Sequence, residues 1–350
     1  MNSDHNKAED GTETRSALAT PLPASAADET LAGRHARAEQ LELAGDWAAA
    51  VTLYEANALA DYGPSLTGLA LAYGHGKGVP YDLQRSNALL ERAAAAGCAR
   101  GQAYLGKAVL DGEGCERNVQ RALQLLQQAA DSGDGGAATD LAHLYRDGDG
   151  VQVDVRKADD YDRIAFELWS KAAEKGDVRA MNSLGLCYDN GRGVAKDAKV
   201  AMSYFKMAME KGHVGAMFNY AVNLEDGVGV DNADPFTANE YYKKAIEKGH
   251  VDAMNKYAYN LKNSVGVDKA DPARANRYLF AAILKQNVDA MLYFASDLAS
   301  GDGTERDIVM AKKYLSIAIA HEDIYAMRLY GDVLLDEEGE PAMANRFYLM

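Results

Sequence analysis

From residue 65 onward the chain repeats one pattern about every 36 residues. Ser65, Gly101, Ala137, Ala180, Ala216, Ala253, Ala290 and Ala326 open successive copies, separated by 36, 36, 43, 36, 37, 37 and 36 residues. Four residues after each opening stands Leu69, Leu105, Leu141, Leu184, Tyr220, Tyr257, Phe294 or Tyr330. The next residue is always alanine or glycine, and three further on come Tyr73, Val109, Tyr145, Tyr188, Leu224, Leu261, Leu298 and Leu334. At about 100° per residue these positions share one face of an α-helix, so each copy carries a first helix with an apolar stripe. A unit this short cannot bury its own stripe; it must stack on its neighbours, which predicts an array rather than a globular core.

A second helix follows in each copy. Its small residues are Ser86, Ala122, Ala165, Ala201, Ala238, Ala275 and Ala311, with Leu or Tyr three positions later (Leu89 to Tyr314) and Ala seven positions later (Ala93 to Ala318). Small residues on one face let two helices approach closely while the large ones fill the gaps. Six connectors read Gly-x-Gly, from Gly76-Lys77-Gly78 to Gly301-Asp302-Gly303, and glycine ends a helix in the left-handed conformation without steric cost. Asp82, Asn118, Asp197, Asp234, Asp271 and Asp307 sit where N-caps belong, and Pro235 and Pro272 follow two of them at the first helical position.

The long gap carries an insertion of 7 residues near Val155–Tyr161. A second helix longer by about two turns accounts for it, as does a longer loop ending at a later cap such as Asp160. Residues 1–33 show no apolar period and read as a flexible tail, and residues 34–60 form a helical pair around Gly45-Asp46-Trp47. Residues 61–350 form the array of about eight repeats, the last incomplete. There Ala344 to Met350 start a second helix that stops short, leaving an apolar stub, a surface for self-association, or a chain that has been cut.

Composition narrows function. The 350 residues carry 37 Lys+Arg against 52 Asp+Glu, a net charge of -15 that repels nucleic acid and anionic membranes. No run approaches the roughly 18 apolar residues that cross a bilayer, and no charged start followed by an apolar run marks a secretory signal. Three cysteines build no disulfide framework, which places the protein in a reducing compartment, the cytoplasm.

The run Ala-x-x-x-Leu-Gly-x-x-Tyr-x-x-Gly-x-Gly-Val, clearest at Ala180–Val194, resembles the Sel-one-like repeat family, relatives of tetratricopeptide repeats. So do Ala172 to Asp177 and the Glu-Lys-Gly-His segments ending at His213 and His250. Ser264, Thr304 and Glu337-Glu338-Gly339 depart from the pattern within single connectors. The resemblance covers residues 61–350, while Gly45-Asp46-Trp47 with Ala50 and Tyr54 is more similar to a plain tetratricopeptide unit. It implies an all-α, right-handed superhelical solenoid of helix-turn-helix repeats. The function it implies is a protein-interaction scaffold, often in bacterial signalling, envelope regulation or host contact.

No catalytic, cofactor or metal site is expected. A phosphate cradle needs one loop between a strand and a helix, whereas this turn joins two helices six times. The seven histidines have no partners at ligand spacing, and no nucleophile, base and orienting group stand together. The informative side of each first helix lies opposite its stripe, at offsets 2, 3 and 6. There the middle copies place Asn182, Leu186, Phe218, Asn219, Val222, Asn255, Lys256, Tyr259, Leu292 and Tyr293. A merely solvated face would be Glu and Lys; amides with rings suit a peptide's backbone and side chains. The expected function is a non-enzymatic scaffold that binds a protein or peptide in a concave groove. A bacterial immunity protein neutralising a secreted toxin or effector is the narrower alternative, and a hydrolase or ligand-dependent enzyme the alternative of a different class.

Overall fold

A computed structural model of the protein describes residues 30–321 and 323–338. Residues 1–29, most of the expected tail, and 339–350, the expected incomplete helix with its self-association surface, lie outside the described residues. The described residues form seventeen α-helices and no strand. They fall into two compact units, one up to Lys171 and one from Ala172.

In the first unit α1 (Leu31–Leu43) pairs with α2 (Trp47–Ala58), and α3 (Gly63–His75) with α4 (Leu83–Ala95). Then come α5 (Ala99–Asp111) with α6 (Val119–Asp131), and α7 (Gly135–Asp147) with α8 (Val155–Glu174). The second unit pairs α9 (Val178–Asn190) with α10 (Ala198–Glu210), and α11 (Val214–Asp226) with α12 (Pro235–Glu247). It continues with α13 (Val251–Asn263) and α14 (Pro272–Ile283), α15 (Val288–Ser300) and α16 (Ile308–Ala320), and ends at α17 (Ile324–Glu338). Within each unit the second helices also lie against the first helix of the next repeat, as α2 does on α3 and α10 on α11, so both units are all-α solenoids.

Local chemistry sets the helix ends. The cap carboxylates and amide before the second helices accept from the backbone N–H three residues on, as Asp234 does from Thr237 at 3.0 Å and Asp307 from Met310 at 2.9 Å. First helices stop in the left-handed region, and Ser264 holds that conformation (φ 57°) where its repeat lacks the glycine. The second glycine of the connector has an additional role. A Cβ on Gly229 would sit 2.3 Å from the Ala198 carbonyl oxygen, and one on Gly303 would sit 2.4 Å from the Pro272 carbonyl carbon. These turns seat directly on the N-terminus of the preceding repeat's second helix.

The opening alanines Ala137, Ala180, Ala216, Ala253, Ala290 and Ala326 are fully buried, as are Ala122, Ala201, Ala238, Ala275 and Ala311 on the second helices. The deepest large side chains on the second helices stand one residue after the leucine/tyrosine column singled out by spacing. They are Leu90, Leu126, Phe205, Tyr242, Leu279 and Leu315. The column itself is half-buried from Tyr204 onward and pairs with the first helix's rings. Tyr188–Tyr204, Tyr220–Tyr241, Tyr257–Tyr278 and Phe294–Tyr314 have centroids 5.8, 5.3, 5.1 and 6.0 Å apart.

The insertion is helical. α8 runs 20 residues from its cap Asp154, whose carboxylate accepts from Lys157 N at 3.0 Å. Its extra turns are tied to α7: Tyr161 stacks on Tyr145 at 5.8 Å, and the buried Asp162 takes Arg146 at 2.6 Å. Further along, Trp169 lies over Gly135, where a Cβ would come within 2.7 Å of the indole, and Lys77 stands 4.6 Å over the Trp47 ring.

Candidate binding groove

The first helices of the second unit begin on polar caps of three kinds. Asp177 caps α9 and Asn287 caps α15, whereas His213 and His250 cap α11 and α13. The Nδ1 of His213 accepts from Ala216 N at 3.0 Å and that of His250 from Ala253 N at 3.2 Å. Accepting at Nδ1 requires the neutral ring. Burial holds both imidazoles below the ordinary histidine value, opposed by Asp177 at His213 and by Asp252 at His250. The His250 ring also stacks on Phe218 at 4.8 Å.

Seven residues after the opening residue, the three middle repeats of the second unit (α11, α13 and α15) differ in kind from the first unit. The first unit has Ala72, Ala108 and Leu144 there, all buried. On α11, α13 and α15 the residue is Asn223, Asn260 and Asp297, buried to 6%, 0% and 2% relative exposure, whereas α9 has Cys187 and α17 the buried Val333. A buried polar group costs free energy unless it is bonded, so these three must be tied in. Asn223 Nδ2 donates to Asp189 Oδ1 at 3.1 Å, and Asn260 Nδ2 donates to Asn239 Oδ1 at 2.9 Å. Asp297 Oδ1 accepts from Lys262, whose ammonium also meets Asp302 at 3.1 Å. Burial raises the Asp297 carboxyl above the ordinary carboxylate value, Lys262 pulls it back, and Asp302 adds to the rise. Polar links therefore run from α9 to α11 and from α13 to α15.

Above this column a groove of about 710 Å³ crosses α11, α13 and α15. Phe218, Asn255, Lys256, Tyr259 and Tyr293 line it, together with Asp252, Lys262, Asn263, Asp289, Ser296 and Asp297. Leu279 of α14 and Asp302 of the connector complete the lining. Tyr259 and Tyr293 are 58% and 52% exposed, large for rings that no neighbouring helix covers. Asn255 Nδ2 donates to Asn287 Oδ1 at 2.9 Å, while Asn255 Oδ1 is buried without a partner. Lys256 reaches Glu225 at 3.0 Å.

Of the ten residues singled out by spacing, the structure gathers those five into the groove and puts the other five elsewhere. Asn219 donates to Asn182 Oδ1 at 3.0 Å, one tie between α9 and α11. Val222 and Leu292 are half-buried against core clusters, and Leu186 is exposed on α9. Three of the residues that spacing missed were nonetheless legible. Asp252 and Asp289 stand one residue before the opening residue and Asn263 ten after it, one turn beyond the offsets read and on the same helix face. Asp302 carried no such signal, because it lies in a connector. Among the described residues no group of three His, Cys, Asp or Glu side chains is placed to hold a metal ion. No helix among them is long and apolar enough to cross a membrane.

The Sel1 repeat model matches residues 63–98, 99–134, 136–177, 178–213, 214–250, 251–287 and 289–323. The chain belongs to the Sel1 repeat family. Similar solved structures include a Sel1 repeat protein from Oxalobacter formigenes (27% identity, 71% of this chain and 96% of that one, TM-score 0.46). Another is c5321, described as a protective antigen of uropathogenic Escherichia coli with an SLR fold (22% identity, 91% and 69% coverage, TM-score 0.48). A third is described as a sel1 repeat protein from Klebsiella pneumoniae (22% identity, 60% and 98% coverage, TM-score 0.39). Membership rests on the seven matched segments. A search of curated proteins finds no match. Sel1 repeat proteins are generally protein-interaction scaffolds and are typically non-catalytic.

Proposed function

We propose that this Sel1 repeat protein is a non-enzymatic scaffold whose second unit docks a peptide segment of a protein partner in the groove across α11, α13 and α15. One observation carries the reading: Tyr259 and Tyr293, on adjacent first helices, stand more than half exposed beside amides and charges in one cavity. Exposed rings flanked by polar groups are the composition of interface anchors. We take the α1–α2 pair, ahead of the first matched repeat, as an N-terminal cap to the array of residues 61–350. Three cysteines, Cys98, Cys115 and Cys187, joined by no disulfide among the described residues, support a reducing compartment such as the cytoplasm. Should the partner prove to be a secreted toxin or effector, the scaffold acts as its neutralising protein, and the docking argument is unchanged.

The test is a quantitative pull-down with the chain and with its Tyr259→Ala/Tyr293→Ala variant. Losing two aromatic anchors weakens a groove partner at least about a hundredfold, roughly 2.7 kcal/mol. The melting temperature stays near that of the parent, because neither ring belongs to a core cluster. A partner held equally well by both proteins places the interface elsewhere. Asn219 is no part of this test, since its amide is already engaged by Asn182.

A further inference from the structure

The groove's charges do not balance. Four carboxylates line it (Asp252, Asp289, Asp297 and Asp302) against two ammonium groups, Lys256 and Lys262. Lys256 is already neutralised by Glu225, which lies outside the lining, and Lys262 is shared between Asp297 and Asp302. The lining therefore keeps an excess of negative charge around two exposed rings. Its bonding is also incomplete. Asp297 is 2% exposed and its Oδ2 has no partner, and Asn255 Oδ1 is likewise buried and unpartnered. Both atoms are acceptors, so what the groove lacks is a donor.

We infer that the groove takes an arginine side chain of the docked segment, its guanidinium donating to Asp297 against the faces of Tyr259 and Tyr293. The inference rests on the docking reading above. Guanidinium fits this lining better than ammonium for two physical reasons. It presents a planar fork of donors matched to a carboxylate, and it is weakly hydrated and stacks on aromatic faces. The resident cation need not leave the groove when the guest arrives. Lys262 touches Asp302 as well as Asp297, so its ammonium keeps one carboxylate while the guest takes the other. Asp252 and Asp289, both exposed, add long-range attraction at the groove's edge.

The experiment uses four fluorescein-labelled pools of capped peptides, degenerate at the flanking positions and differing only at the centre: arginine, citrulline, lysine or glutamate. Citrulline keeps the shape of arginine and removes its charge. Fluorescence anisotropy against the full chain should place the arginine pool at least about tenfold tighter than the citrulline pool, the scale of one charge-assisted hydrogen bond. Asp297→Asn should abolish that preference and leave a residual affinity common to both pools. Because Asp297 is buried, that variant could misfold; Asp289→Asn, at an exposed position, should then narrow the preference in a folded protein. Equal affinity for the arginine and citrulline pools, with both weakened by Tyr259→Ala, overturns the arginine inference and leaves docking intact. A lysine or glutamate pool that binds as tightly as the arginine pool overturns it too. If no pool binds, or binding ignores Tyr259→Ala, the docking reading itself fails.

Discussion

At Gly229 and Gly212 the same residue type answers two different demands. Both have positive φ, at 73° and 91°, but only Gly229 has backbone where its Cβ would go, whereas Gly212 has nothing within 4 Å. Forcing an alanine into the left-handed region costs about 1–2 kcal/mol. We therefore expect Gly212→Ala to lower stability by that amount and Gly229→Ala by clearly more, since its repeat must also move off α10. Chemical denaturation of the two variants checks this, and equal losses would show that the connector does not seat tightly. The spacing of Gly-x-Gly revealed the first demand, because helix termination is local. The second was invisible, because the atoms that exclude a Cβ belong to residues about thirty positions upstream.

For the helices, the histidine caps make folding sensitive to acid. A buried histidine whose value lies below 6.5 binds fewer protons folded than unfolded. Its contribution is complete above about pH 6.5 and is lost as pH falls through the lowered value. We expect the second unit to melt at lower temperature at about pH 5.5 than at about pH 7.5. His213→Asn/His250→Asn should flatten part of that slope, because asparagine caps α15 in the same geometry without titrating. An unchanged slope in the double variant would assign the acid sensitivity to other groups. How much the sequence disclosed follows from the range of each interaction. Helix pairing, caps and the small-residue stripe recur within one repeat, so periodicity exposed them. The groove depends on which side chains from three successive copies meet. Phe218, Asn255, Lys256, Tyr259 and Tyr293 were legible as one face, yet Asn219 was drawn aside by Asn182, a cross-repeat choice that no single-helix projection contains. The insertion was undecidable by phase alone; the contacts of Tyr161 and Asp162 with α7 account for its being helix.

Across the whole molecule, the buried clusters of the second unit include one around Phe205 and one around Tyr242. Phe205→Ala should cost about 3–5 kcal/mol and loosen neighbouring repeats together, because solenoid repeats hold one another in place. Hydrogen exchange should then show amides of α9 to α12 losing protection as a group while those of α3 to α6 keep theirs; equal loss in both sets would mean that the array unfolds as one. The molecule also supplies its own optical reporter for this question. Its two tryptophans, Trp47 and Trp169, both belong to the first unit, whereas the second unit's fluorophores are tyrosines, several of them in ring pairs. Indole emission thus follows one half of the chain alone, and the gap between its unfolding curve and that of far-ultraviolet dichroism, which sees every helix, measures the coupling between the halves without any added label.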